Sequence, residues 1–387
     1  MTLFLCGDVM TGRGVDQILP HPSDPQIFEP YVQDAREYVE LAESRNGPIA
    51  RPVSPSYIWG DALAELERVQ PDARIVNLEA SITRSNDYWK GKGINYRMHP
   101  ENMACVTAAR IDVCGLANNH VLDYGYAGLA ETLDVLKQAG VKTVGAGRSL
   151  AEAQAPAVVP LANGSRAIVF ALGTETSGIP PTWAAREDRA GVDLLPDLSE
   201  TTAAAIVEQV RHVRGQRDLV VVSIHWGTNW GYNVPHNHVR FAHSLVDGGV
   251  DIVHGHSSHH PRPIEVYRNR LILYGCGDFI DDYEGIEGHE PYRDDLVLMY
   301  FATLSFATGE LTALDMTPMQ IRKLKLNRTS EGDSHWLRDA LERASAPFGS
   351  HPDLLSNGTL TLRWRRQSFV DGNPAVPEAG WSTSRAT

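Results

Sequence analysis

The sequence has few cysteines, and none of them has the spacing of a disulfide framework or a thiolate zinc site. The 387 residues include four, scattered and without a CxxC pair: Cys6, Cys105, Cys114 and Cys276. Three of them lie in apolar runs, which predicts small buried thiols rather than disulfides or zinc ligands. This cysteine usage suits a reducing compartment.

Long apolar runs are also missing. No stretch of 18 apolar residues occurs, so no segment predicts a membrane-spanning helix. The N-terminus, MTLFLCGDVM, has no basic region ahead of an apolar one and does not resemble a secretory signal. If Met1 is the native start, we expect a cytoplasmic protein that does not bind membranes.

Positively charged residues are fewer than negatively charged ones. The sequence has 35 Lys and Arg residues and 48 Asp and Glu residues, which gives a formal net charge of -13. This balance argues against nucleic acid or an anionic membrane as the main partner. An acidic protein can still bind an anionic substrate locally through a metal ion or a few arginines. The composition does not indicate an oligomeric state.

Short apolar strands alternate with helical patterns for most of the chain. TLFLCG, ARIVNLE and IDVCGLA predict strands, AGLAETLDVLKQAG predicts an amphipathic helix, and the turn NGS between two apolar runs predicts a hairpin. The mixture, without an internal repeat, predicts two sheets with helices outside, an α/β sandwich rather than a barrel. We expect a main domain over 1–320 with an insertion at about 20–56, a helical and strand extension over 321–371, and a loose tail over 372–387.

Side chains that can bind a metal follow six predicted strands. In open α/β sheets, ligands bind at the carboxyl ends of the strands. The side chains in question are Asp8, Glu79, Asn119 with His120, His225, His256 with His259, and Asp278. Each residue alone is typical of a turn or a hydrogen-bonded core position. Together, oxygen and nitrogen donors without thiolates predict a hard or borderline divalent cation, namely Mn, Fe, Zn, Mg or Ca.

The ordered motifs GDVM, NLE, ANNHVLDYG, HWG, GHSSHHP and YGCGDF resemble the CapA-type (poly-γ-glutamate synthesis) branch of the metallophosphatase, or calcineurin-like, superfamily. The resemblance runs from about residue 2 to residue 318. It implies a four-layer α/β/β/α sandwich in which the loops at the strand ends hold metal. Carried over position by position, it also implies these metal ligands: Asp8 for a first metal with His259 beside it, Glu79 as a bridge, and Asn119, His225 and His256 for a second metal.

The sequence departs from the superfamily pattern at two positions. Met10 stands where metallophosphatases have a histidine in the first motif, and two residues rather than one separate His256 from His259. Both changes affect the first metal, and a neutral thioether does not replace imidazole for a hard cation. We therefore expect one well-held ion, which disfavours two-metal phosphoester hydrolysis.

Further polar residues predict the chemistry around the ion. The resemblance implies that His120, supported by Asp123, contacts the reacting group or orients a ligand. We expect Asp8, His120 and His289 to act in catalysis. Arg13, Trp226, Asp278 and Arg293 are candidates to bind substrate. For these four the alternatives are a surface arginine on a glycine turn, packing of the tryptophan against a loop, and a solvated acidic loop.

Two enzymatic functions fit this ligand set. In one, a metal-activated water attacks an amide, a γ-glutamyl bond or a phosphoester while a histidine protonates the leaving group. In the other, a metal-polarised carbonyl lets an Asp/His pair exchange an α-proton, as in a lasso-peptide-precursor epimerase that resembles this same branch. The main prediction is the peptide Cα-epimerase acting on a peptide or carboxylate-bearing substrate, with the CapA-type hydrolase as the alternative. A non-catalytic assembly or binding module is the third hypothesis.

Overall fold

The computed structural model describes residues 1–161 and 164–366, and the backbone of 369–370, 373–374 and 381–382. The helices are α1 (Arg13–Ile18), α2 (Arg36–Asn46), α3 (Ala62–Val69), α4 (Ala104–Thr107), α5 (Gly125–Gln138), α6 (Leu150–Gln154), α7 (Glu200–Val213), α8 (His236–Asp247) and α9 (Glu331–Ser345). The first twelve strands are β1 (Thr2–Val9), β2 (Ala73–Leu78), β3 (Ser81–Ile82), β4 (Arg97–Met98), β5 (Val113–Gly115), β6 (Lys142–Val144), β7 (Ala146–Gly147), β8 (Ala157–Pro160), β9 (Arg166–Gly173), β10 (Gly191–Val192), β11 (Leu219–His225) and β12 (Ile252–His256). The later strands are β13 (Ile264–Tyr267), β14 (Arg270–Leu273), β15 (Asp278–Ile280), β16 (Leu296–Leu304), β17 (Leu311–Ile321), β18 (Leu326–Arg328), β19 (Ser350–Leu354), β20 (Leu360–Arg365), β21 (Phe369–Val370), β22 (Asn373–Pro374) and β23 (Trp381–Ser382).

Two large sheets form the centre of the molecule. The first has the order β19-β20-β17-β16-β1-β2-β5-β6, with β15 also paired to β1. Its half from β1 to β6 is parallel, and β16, β17, β20 and β19 continue it antiparallel. The second sheet has the order β13-β14-β12-β11-β9-β8, in which β9, β11, β12 and β14 are parallel. Parallel strands bring their carboxyl ends to one edge, so each sheet presents such an edge.

The strands alternate their side chains between two apolar layers, as a period of two requires. In β1, Leu5 points into the core between the sheets, whereas Phe4 points into the core that contains α3 and α5. In β11, Val221 faces the other sheet, and Val222 packs in the core with α7 and α8. The layers are therefore helices, sheet, sheet and helices. This order confirms the predicted four-layer α/β/β/α sandwich.

Several local predictions can be compared with the structure. The hairpin is confirmed by the antiparallel pair β8 and β9, although Asn163 of its turn lies outside the described residues. All four cysteines are buried and free, as the sequence predicts. Within the described residues, no helix has both the length and the apolar character that crossing a membrane needs.

The predicted division of the chain stays a prediction. The segment 20–56 contains α2, whose residues Tyr38, Val39 and Ala42 are buried. The proposed extension supplies α9 and the strands β18, β19 and β20, which join the first sheet. The predicted tail over 372–387 lies outside the described residues, apart from the backbone of β22 and β23.

Candidate metal centre

The metal centre is built where the carboxyl ends of the two sheets meet. In the first sheet, Asp8 near the end of β1 pairs in register with Asn77 of β2 and Asp278 of β15. In the second sheet, His225 and His256 end the neighbouring strands β11 and β12 and lie opposite each other. The predicted convergence of polar strand ends is therefore present.

Asp8, His225 and His256 form a compact group of potential ligands. One ligand atom of each lies within 4.8 Å of the others, and all three residues are at most 1% exposed. The distance from His256 Nδ1 to Asp8 Oδ1 is 3.7 Å, and the two histidine Nδ1 atoms are 2.8 Å apart. Among the described residues, this is the one group of three or more His, Cys, Asp or Glu side chains close enough to hold an ion.

Glu79 and Asn119 lie on the open side of His225. His225 Nε2 donates to Asn119 Oδ1 at 2.9 Å and lies 3.8 Å from Glu79 Oε1. At the other end, the Ser223 hydroxyl lies 2.8 Å from His256 Nε2. The Asn119 and Ser223 contacts orient the two rings, as partners of a metal-binding histidine do.

The electrostatics of the group suit a cation. Burial holds the pKa values of His225 and His256 well below their usual range, so both imidazoles are in the neutral, metal-binding form. Burial also raises the pKa of Asp8 to about 6 and raises that of Glu79 further, because Asp8 is its neighbour. Among the described residues, Asp8 and Glu79 contact histidines but form no ion pair with Lys or Arg, and two such carboxyl groups beside two neutral imidazoles are a donor set that fits a divalent ion.

His259 occupies a different position from the three-residue group. Its Nδ1 lies 2.9 Å from Asp278 Oδ1, and its Nε2 lies 2.9 Å from the Asn229 amide nitrogen. Met10 is 1% exposed and packs with Tyr96, so its thioether fills a buried position at this side of the centre. The metal-binding role of His259 stays a prediction.

His120 lies beside the metal centre in a chain of polar contacts. Its Nδ1 donates to Asp123 Oδ2 at 2.6 Å, and its Nε2 lies 3.7 Å from Glu79 Oε1. Lys92 Nζ lies 2.6 Å from Asp123 Oδ1 and 2.9 Å from His120 Nδ1. Burial lowers the pKa of His120 to about 4, so the ring is neutral and its Nε2 can accept a proton.

Sequence reasoning missed two supporting residues. Lys92 stands in the loop segment KGKG, where a lysine between glycines gives no sign of burial. Asn77 donates from Nδ2 to Asp8 Oδ1 at 2.8 Å, and Asn118 Nδ2 donates in turn to Asn77 Oδ1 at 3.1 Å. The asparagine in the NLE motif was the available signal for the second residue, because it immediately precedes a strand end.

The predicted substrate-binding residues lie in different environments. Arg13 is 4% exposed, pairs with Asp282 and with Glu29 at 3.0 Å, and stacks on the Tyr38 ring at 3.8 Å. Asp278 is buried and contacts the partly exposed His259. These roles stay predictions, and the arginine already has two carboxylate partners.

The side chains of Trp226, His289 and Arg293 contact residues outside the three-residue group. Trp226 is 1% exposed in the core with α7 and α8, and its indole donates to the Tyr274 carbonyl. His289 stacks on Trp230 with ring centroids 3.8 Å apart. Arg293 pairs with Asp295 at 2.7 Å and with Asp333 at 2.8 Å.

A family model and several known proteins match the part of the chain that contains these motifs. The family model described as bacterial capsule synthesis protein PGA_cap matches residues 2–283. Over 350 residues the chain is 49% identical to a probable polyglutamine synthesis accessory protein of Mycobacterium tuberculosis, covering 90% of this chain and 92% of that protein. Over 329 residues it is 29% identical to the PGA biosynthesis protein CapA of Bacillus subtilis, covering 83% of this chain and 74% of that one.

A solved structure is also similar. It is a 5'-nucleotidase precursor from Thermus thermophilus, with 16% identity and a TM-score of 0.46, covering 90% of this chain and 58% of that chain. The family match spans the strand ends that carry Asp8, Glu79, Asn119, His225 and His256. It confirms the CapA-type resemblance and gives no support to the lasso-peptide epimerase. The chain belongs to the PGA_cap family of bacterial capsule synthesis proteins.

Proposed function

We propose that the chain is a metal-dependent hydrolase that cleaves an amide bond in a glutamyl polymer. The observation that carries the proposal is the buried group of Asp8, His225 and His256 beside the His120–Asp123 pair. The glutamyl polymer is inferred from the relatives, whose names refer to polyglutamine and PGA synthesis. The family therefore supports the alternative sequence prediction, the CapA-type hydrolase, better than the epimerase.

The residues of the candidate site have separate roles in the proposed reaction. Asp8, His225 and His256 would hold the ion, with Glu79 and Asn119 adjacent to it. When bound, a divalent cation supplies Lewis acidity that polarises a carbonyl and lowers the pKa of water. Neutral His120, held by Asp123 at Nδ1, accepts a proton from the attacking water at Nε2 and returns it to the departing amide nitrogen. One water is consumed, and the products are a carboxylate and an amine.

Asp123 and Lys92 prepare His120 for this transfer. The Asp123 carboxylate stabilises the imidazolium that forms after proton uptake, as the third member of a catalytic triad does. Lys92 pairs with the other carboxylate oxygen of Asp123 at 2.6 Å. The pair thus orients the ring so that Nε2 points to the same side as Glu79.

Incubation of γ-linked and α-linked glutamate oligomers with the Mn²⁺- or Zn²⁺-loaded protein in deuterated water tests the function. New fragments in the mass spectrum are the expected result. A one-unit mass gain without cleavage would instead indicate epimerisation, and unchanged oligomers would exclude both reactions. His225→Ala should abolish cleavage with little change in circular dichroism. His212→Ala, which changes an exposed histidine on α7, is the matched control and should cleave normally.

A further inference from the structure

A cavity of about 440 Å³ lies next to the metal centre and is not used by the proposed hydrolysis. Its walls come from the loop after β15, the end of α2 and the end of β17. Tyr283 lines the cavity and also packs edge-on against the His259 ring, with centroids 5.2 Å apart. Through Tyr283 the cavity therefore borders His259, and its volume lies within the range of small-molecule pockets.

The deep part of the cavity carries carboxylates without cationic partners. Asp281 is 2% exposed, and its Oδ1 accepts from the Tyr283 backbone N–H at 2.9 Å. Its Oδ2 is buried and has no hydrogen-bond partner among the described residues. Asp294, half-buried in the same wall, makes no ion pair within the part of the chain that the structure describes. Burial and the neighbouring Asp278 and Asp294 raise the pKa of Asp281 well above its usual value.

The arginines near Asp281 already pair with other carboxylates. Arg293 pairs with Asp295 and Asp333, and Arg13 pairs with Glu29 and Asp282. A buried carboxylate oxygen with no donor is costly, and a positively charged ligand group would remove that cost. The deep part of the cavity is thus complementary to a cation.

The rim of the cavity carries two arginines beside two exposed glutamates, Glu287 and Glu290. Arg45 in the last turn of α2 and Arg322 just after β17 are both exposed and line the cavity. Neither guanidinium forms an ion pair with another described residue. A ligand with an amine at one end and carboxylates at the other would place its amine at the buried acids and its carboxylates at the two arginines of the rim.

We propose that this cavity binds the free amino-terminal residue of the glutamyl polymer, with its ammonium group at Asp281 and Asp294 and its carboxylates at Arg45 and Arg322. The identity of the polymer rests on the proposed function, but binding of the free end does not depend on cleavage. The site would make the protein selective for chain ends over chain interiors.

Isothermal titration of the purified full chain with γ-linked triglutamate and its N-acetylated form tests the proposal. We expect the free amine to bind at least about tenfold more tightly, since a charged hydrogen bond to a buried carboxylate is lost on acetylation. Asp281→Asn should bring the two affinities to within about twofold. Asp294→Asn, at a half-buried position that tolerates the change more easily, should reduce the preference in the same direction. Glu287→Gln removes an exposed carboxylate from the same cavity and should leave the preference unchanged.

Three results would overturn the proposal. The acetylated peptide could bind as tightly as the free one, or Asp281→Asn could weaken both peptides equally. Alternatively, Mn²⁺ alone could bind in a second step that Asp281→Asn removes and that blocks the peptide, which would make the missing cation a metal. Cleavage without amine preference would refute only this site, and amine preference without cleavage would refute only the hydrolase.

Discussion

The sequence predicts no role for Lys92, but in the structure this residue lies beside the His120–Asp123 pair. It is 2.6 Å from Asp123, and the carboxylate that it neutralises also orients His120. Lys92→Met leaves a buried carboxylate unpaired, so we expect kcat to fall at least about tenfold and the free energy of unfolding to fall by about 3 kcal/mol. Steady-state kinetics on a glutamate oligomer, together with urea unfolding, measure both effects.

Lys92→Arg serves as the control, because it keeps a positive charge beside Asp123. It should recover more of kcat than Lys92→Met does, with a similar KM in all three proteins. Equal activity in the methionine variant and the parent protein would show that Lys92 does not position the His120–Asp123 pair.

At the same scale, sequence reasoning could predict which side chains converge at the candidate metal centre, and it placed Asp123 beside His120, but it gave no sign of Lys92. Asp8, His225 and His256 stand at strand ends, where topology alone brings polar residues together. Lys92 reaches the site from an irregular loop, and no periodic pattern indicates where a loop side chain points. The contact of His259 with Asp278 likewise depends on the conformation of two loops.

At the scale of the elements, the position of strand β1 depends on its close packing against the segment before β15. A Cβ on Gly7 would lie 1.7 Å from the Gly277 carbonyl oxygen, and the neighbouring Asp8 N–H donates to that same oxygen at 3.0 Å. Gly7→Ala must push the strand ends apart, so we expect a loss of at least about 2 kcal/mol in unfolding free energy. Chemical denaturation measures it. Gly332→Ala in α9, whose added Cβ would meet only the Ser330 hydroxyl at an ordinary contact distance of 3.8 Å, should be neutral or stabilising.

Helix α8 gives the fold a pH dependence through His238. The ring is 4% exposed and stacks on Trp226 at 4.5 Å, and burial lowers its pKa from 6.5 to about 4. Because the folded state prefers the neutral ring, its contribution to stability is complete above pH 6.5 and is lost as the pH falls from 6.5 towards 4.

His238→Phe keeps an aromatic ring beside Trp226 and removes this titration. We expect the parent protein to lose up to about 3 kcal/mol more than the variant between pH 7 and 4. Urea unfolding at a series of pH values gives the difference between the two proteins, which cancels the contributions of the other buried histidines. Parallel curves would refute the assignment.

The strand and helix pattern was predictable where periodicity is strong. The alternation in β1 and β11 and the helices α5 and α8 follow from apolar spacing. The segment NMACVTAAR has the apolar spacing of a helix, but in the structure it forms a short 3-10 turn and the four-residue α4. Helix α2 has few apolar residues and lies within the proline-rich segment 20–56, so no strong periodicity indicates it.

At the scale of the whole molecule, the net charge of -13 opposes the approach of an anionic polymer. The Debye length falls from about 30 Å at 0.01 M salt to about 8 Å at 0.15 M. We therefore expect KM for a long glutamate oligomer to decrease several-fold over this range, and kcat to change little. An uncharged esterified oligomer should show no such decrease, and a KM that rises with salt would contradict long-range repulsion.

The central claim is that Asp8, His225 and His256 hold one divalent ion per chain. Elemental analysis of the purified protein after dialysis into metal-free buffer tests it most directly. We predict about one bound divalent ion per chain, lost in Asp8→Asn and His225→Ala and retained in His212→Ala, with unchanged circular dichroism. A parent protein that holds no ion, or site variants that hold as much as the parent, would contradict the account.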